Sequence, residues 1–160
     1  MRTLILSLAA LAVSGQASAQ SIDPATKARI DRILKATPLI DGHNDIAEQL
    51  AEGHQSSIAN LASGTAAWPD HPLMTDMARL HAGRVGAQFW SVYIDGTFKG
   101  DEAIRKTIEQ IDIVDRMIAS YPNDLERALT AADVVRIHKA GRIASLIGIE
   151  GGRQIGGSLP

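Results

Sequence analysis

Apolar and polar positions alternate along this chain in a pattern that predicts helices and strands in turn. Residues 4–13 are an almost unbroken apolar run, interrupted only by Ser7. Between residues 24 and 36 the apolar positions Ile30, Ile33 and Leu34 recur three and four apart, which predicts a helix with one apolar stripe. Asp23 is placed to cap it, Pro24 suits its first position, and Pro38 stops it. Leu39-Ile40-Asp41 predicts a short buried strand running into Gly42-His43-Asn44-Asp45. A helix is expected over 46–52, stopped by Gly53, and then a polar loop over 54–72 with Pro69 and Pro72 among its breakers. A helical turn or two is expected over 75–82, and residues 86–94, apolar, aromatic and β-branched, predict a second buried strand. The clearest helix runs over 101–121: Ile104, Ile108, Ile111 and Ile118 share a face, with Asp115 its polar exception. A further helix over 130–140 has Thr130 as N-cap, Asp133 at the capping-box position and Gly141 behind it. A third buried strand, 143–149, runs into Glu150-Gly151-Gly152.

Buried strands separated by helices imply a parallel α/β sheet, here read as one domain over residues 20–160 with no internal repeat. The closing residues 151–160 carry no element of their own, which leads to the expectation that the chain stops short of a full domain.

Composition refines the picture at the amino terminus. Arg2, the apolar run and Ala17-Ser18-Ala19 form the three parts of a secretory signal over residues 1–19. The run is well short of the ~20 residues that a membrane-spanning helix needs, so a membrane anchor is not expected. The protein is read as secreted or periplasmic, and without cysteine this rests on the signal alone. Losing residues 1–19 removes one basic residue and leaves 15 basic against 18 acidic, a charge of −3. A mildly acidic chain of mixed sign argues against a nucleic-acid partner.

The candidate chemistry lies just past the strand ends, where parallel α/β folds place their sites. In extended chain, residues i and i+2 point the same way, so His43 and Asp45 can reach one metal ion together. Imidazole and carboxylate are ordinary zinc ligands. The pair is also what a polar loop after a strand would carry. Glu150 follows the apolar run of 143–149 directly, where an unpaired carboxylate is costly, so it is either a metal ligand or the partner of a cation such as Arg153 or Lys139. His54, His71, His81 and His138 read as surface residues, Trp90 and Tyr93 as core, and Asp95 as a helix cap or turn residue. No nucleophile elbow, phosphate loop or His-Glu-x-x-His motif occurs.

Three segments carry a family resemblance: residues 38–45, residues 86–93 and residues 144–152. In that order and spacing they resemble the first three strands of the membrane (renal) dipeptidases, the M19 peptidases, over nearly all of residues 38–160. The resemblance implies a (β/α)₈ barrel, of which this chain holds the amino-terminal part, about three β/α units. It implies two zinc ions, one held by His43 and Asp45 and both bridged by Glu150. It implies hydrolysis of dipeptides through a metal-bridging hydroxide, and is compatible with a homodimer of the full-length parent. The remaining zinc ligands and substrate-gripping groups belong to later strands, and no catalytic residue beyond the metal ligands is assigned here. Arg153 stands where many relatives carry histidine. Two expectations follow for this chain: an inactive portion of a dipeptidase, or a truncated, non-catalytic pseudo-enzyme product. In a secreting host the signal is expected to be cut between Ala19 and Gln20. Intact mass of the exported protein checks this, and retention of Met1 or Arg2 would refute it.

Overall fold

The computed structural model describes residues 22–157, so the expected signal and its cleavage point lie outside the described residues. Four strands form one all-parallel sheet: β1 (Leu39–Asn44), β2 (Val85–Tyr93), β3 (Leu125–Arg127) and β4 (Ile143–Glu150), in the order β1-β2-β4-β3. The helices are α1 (Pro24–Ala36), α2 (Ile46–Gly53), α3 (Met77–Ala82), α4 (Gly100–Ser120) and α5 (Ala131–Lys139). β2 and β4 pair without a break from Ala87↔Ala144 to Tyr93↔Glu150. β1 is paired less regularly, with a shift on either side of Ile40↔Ala87 and Asp41↔Gln88.

Strand alternation divides the sheet into two faces. Trp90, Ile143 and Ile147 lie on one, packed with Leu50 of α2 and Ile113, Val114 and Met117 of α4. On the other, Ala87, Ala144 and Leu146 receive Val134 and Ile137 of α5. The two facing alanines leave room for the helix. Further along the same face come Phe89, Ser91, Gly148 and Glu150, which line an open cavity. α5 is held by the capping box expected of Thr130 and Asp133. Hydrogen bonds from Thr130 and Arg136 lower the Asp133 carboxyl from 3.8 to about 2.

The structure departs from the sequence expectations in five places. β1 is not buried: Leu39 and Ile40 are 42% and 51% exposed, because the strand is a sheet edge and α1 does not cover it. The apolar stripe of α1 likewise finds no core, and no residue of that helix is buried. In α4 the buried face is Ala103, Thr107, Gln110, Ile113, Val114 and Met117, while Ile108 is 61% exposed. Two polar residues can occupy that face because their polar atoms are satisfied locally. Thr107 Oγ1 donates to Ala103 O at 2.8 Å, and the Gln110 amide meets the backbone of Tyr93. Asp115, the exception on the expected face, points outward to Arg127. A fourth difference is β3, three residues long and mostly charged, which joins the sheet through Leu125↔Ile143 and places Leu125 in the core. It borders only the start of β4, residues 143–145, and leaves the rest of that edge without a strand among the described residues.

The fifth difference is the loop after α2, which is packed rather than merely polar. Leu61, Thr65 and Leu73 are buried. A polar knot fixes them: Asp76 caps α3 by accepting from Arg79 N at 2.9 Å, and Arg79 Nη2 donates to Thr65 Oγ1 at 2.7 Å and Leu73 O at 2.8 Å. Burial pushes the Asp76 carboxyl up, but the Arg79 amide and guanidinium and the Thr65 amide outweigh it and hold it below 3.8. A carboxyl lowered in the folded state stabilises the fold above its unfolded pKa, and the contribution is lost as pH falls through the folded value. Asp76→Ala should therefore cost about 1–3 kcal/mol at pH 7. Urea unfolding should show the gap to the parent chain narrowing below the ordinary carboxyl value of 3.8; an equal gap at pH 7 and pH 3 would contradict this account.

Candidate metal centre

β1 ends in a tight turn that sets two side chains free. His43 N donates to Asp41 Oδ1 at 3.2 Å, which bends the strand end. Asn44 then does the capping for α2: its Oδ1 accepts from Ile46 N at 3.1 Å, and its Nδ2 donates to Thr75 Oγ1 at 2.9 Å. Asp45, formally the N-cap, makes no side-chain cap bond. Its carboxylate is available because its neighbour has taken that role, and the anion still gains from the positive end of the helix.

Glu150 reaches the same place from β4. His43 Nε2 lies 2.9 Å from Asp45 Oδ1 and 3.3 Å from Glu150 Oε2. One nitrogen thus faces two carboxylates, and the three donor atoms all lie within 4.8 Å of one another. Ser91, buried on β2 between β1 and β4, donates its hydroxyl to Glu150 Oε2 at 3.3 Å. All three side chains are about half exposed. A cavity of about 240 Å³ lies on one side of His43, over Phe89, Ser91 and Gly148. A second, of about 430 Å³, lies on the other side against Gln49, Leu73 and Thr75.

The donor set fits a small divalent cation. A tetrahedral zinc site with arms of ~2.0–2.1 Å has edges of about 3.3 Å. The His43–Glu150 separation of 3.3 Å matches that edge, and the His43–Asp45 separation of 2.9 Å would have to open slightly. The local field suits a cation as well. Glu48, one turn into α2, has its carboxyl raised first by burial and then by the charges of Glu52, Asp45, Glu150 and Asp95.

The structure brings together the three residues that the sequence singles out, and it separates the others. Arg153 does not pair with Glu150; its guanidinium lies against Gly96 and its charge acts on Asp95. Asp95 is a turn residue, accepting from Thr97 N at 2.8 Å, and this hydrogen bonding lowers its carboxyl. His54 pairs with His71 O at 2.8 Å, and His81 with Asp124 at 2.7 Å. His138 is half-buried behind Gly86, at the opposite end of the sheet. Trp90 is core, as expected. Ser91, Asn44 and Glu48 carried no signal in the sequence, except that Glu48 lies one helical turn beyond Asp45.

Comparison with known proteins bears on the family and the fold. The membrane dipeptidase family, peptidase family M19, matches residues 27–160. Dipeptidase ataJ of Aspergillus terreus (strain NIH 2624 / FGSC A1156) is 41% identical over 136 residues, 79% of this chain and 32% of its own length. Dipeptidase aclJ of Aspergillus oryzae (strain ATCC 42149 / RIB 40) is 41% identical over 143 residues, 82% of this chain and 33% of its own. The chain thus spans about a third of the length of these curated relatives. Among solved structures, the dipeptidase AC, a metallopeptidase of family M19, aligns with a TM-score of 0.58 at 20% identity, covering 76% of this chain and 37% of that one. A metallopeptidase from Rhodobacter sphaeroides, liganded with a phosphinate mimic of the dipeptide L-Ala-D-Ala, aligns with a TM-score of 0.57 at 19% identity, covering 76% and 40%. These likenesses establish the fold as a partial (β/α) barrel. The match over residues 27–160 places this chain in the membrane dipeptidase family, peptidase family M19.

Proposed function

We propose that the whole protein of which this chain is a part is a zinc-dependent dipeptidase, exported by its signal, and that His43, Asp45 and Glu150 supply its first metal ligands. The observation that carries the reading is the convergence of His43 Nε2 on both carboxylates at the carboxyl rim of the sheet. His43 and Asp45 would hold an ion, with Glu150 reaching in from β4 as a further donor. When bound, the zinc pair supplies Lewis acidity and lowers the pKa of a bound water toward neutrality. The chain's own part is to fix donors. Asn44 leaves Asp45 unencumbered, Ser91 holds one oxygen of Glu150, and the half-exposed rim keeps the centre open to a dipeptide.

The first test is metal binding. Zinc should bind the purified chain, and His43→Ala or Glu150→Gln should weaken it by more than the ~10–100-fold that loss of an outer hydrogen-bond partner costs. Competition with a chromophoric chelator measures this, and equal affinity in all three proteins would remove these residues from the ligand set.

The second test is turnover. This chain alone is proposed to be inactive, because a second zinc would have only Glu150 among the described residues where zinc sites use three or four ligands. With zinc added, no hydrolysis of a simple dipeptide should be seen. Zinc-dependent turnover that disappears in His43→Ala would show that a partial site suffices.

A further inference from the structure

Beyond Glu150 the chain makes a sharp turn through Gly151, at φ +93°, and a short 3₁₀ turn, Arg153–Ile155. Gln154 points back from that turn into the sheet and is buried, 7% exposed. Its amide nitrogen donates to the backbone carbonyl of Glu150 and, at 3.5 Å, to that of Val92 on β2. Those two carbonyls belong to neighbouring strands at the point where the β2–β4 ladder runs out, since Val92 pairs with Ile149 and Tyr93 with Glu150. The side-chain amide therefore bridges the two strands at the end of the ladder.

The orientation of that amide is decided by its surroundings. Turned over, it would set its own oxygen against two carbonyl oxygens. In the orientation seen, Oε1 is buried with no partner. The donor end of the amide thus clamps the backbone of the residue that carries the third metal-ligand candidate. A second buried glutamine acts alike on the other strand. Gln110 Oε1 accepts from Tyr93 N at 3.1 Å, and its Nε2 donates to Tyr93 O at 2.7 Å. Tyr93 is the register partner of Glu150.

Resting on the metal reading above, we propose that Gln154 is a positioning residue for the metal centre. It ties the Glu150 backbone to β2 so that the Glu150 carboxylate is presented to His43 and Asp45. It touches neither metal nor substrate. Its effect runs through one backbone carbonyl, as hydrogen-bond partners behind metal ligands are known to act.

Gln154→Met tests this, since methionine keeps length and bulk but has no donor; Gln154→Ala is the larger deletion. In the metal-free 160-residue chain, amide hydrogen exchange at residues 149–152 should speed up about tenfold in Gln154→Met, while the amides of α5 keep their parent rates. In the same protein, zinc affinity by chelator competition should fall about 10–100-fold. Unchanged exchange at 149–152, or acceleration spread equally over α5, overturns the proposal: the first means no clamp, the second only a general structural role. Exchange that rises locally while zinc affinity stays at the parent value also overturns it. If the parent chain binds no zinc in a His43-dependent way, the metal reading fails by that control, and the positioning role fails with it.

Discussion

A parallel ladder brings the carboxyl ends of its strands to one side, and the unbroken register between β2 and β4 decides how far along that side β4 reaches. Because Tyr93 and Glu150 are partners, β4 ends level with β2, and alternation puts Glu150 on the same face as Ser91. β1 is paired to the other side of β2 and ends at Asn44, opposite Trp90. A shift of one residue in the β2–β4 register would send Glu150 to the α4 face. The chemistry of the site is therefore a property of strand pairing before it is a property of any side chain. Trp90, fully buried beneath the ladder, Ile143 and Ile147 are what fix that pairing.

The division of labour at the end of β1 shows how the ligand candidates are spared from structural duty. A carboxylate at a helix N-cap is ordinarily consumed by backbone amides. Here Asn44, one residue earlier, accepts from Ile46 and is itself braced by Thr75, so Asp45 is left with the favourable helix field and no obligation. Thr75 belongs to the loop fixed by Asp76 and Arg79, so the polar knot in that loop supports the site at one remove. Half-exposure has a role of its own: water screens the carboxylates from one another while no cation is bound, which keeps the cost of assembling them small.

Much of this could be read from the sequence, for definable reasons. The helix α1, the capping box of α5 and the strands β2 and β4 have local signals, namely caps, breakers and apolar runs, and these do not depend on the rest of the chain. His43, Asp45 and Glu150 were legible because each follows such a run directly. What failed were the burial readings of β1, α1 and α4. The isoleucines of α4 suggested the wrong stripe because Thr107 and Gln110 satisfy their polar atoms at the core, which hydropathy does not register. The exposure of β1 and α1 depends on what lies beside them in space. β3 was invisible because three residues, two of them charged, carry no periodicity. Gln154 gave no signal at all, since its role lies in reaching back to a carbonyl.

The irregular hold on β1 has a consequence for how the molecule is fastened. That strand is an exposed edge, joined to β2 through two register shifts; it carries one of the three donors, His43, and leads directly into a second, Asp45. The third donor comes from the far side of β2, about a hundred residues later in the chain. A cation gripped by all three would act as a rivet across the sheet, closing a loop of about the length for which a covalent cross-link restricts the unfolded chain by up to ~4.7 kcal/mol. The supply of the ion would then bear on how firmly the first strand stays docked.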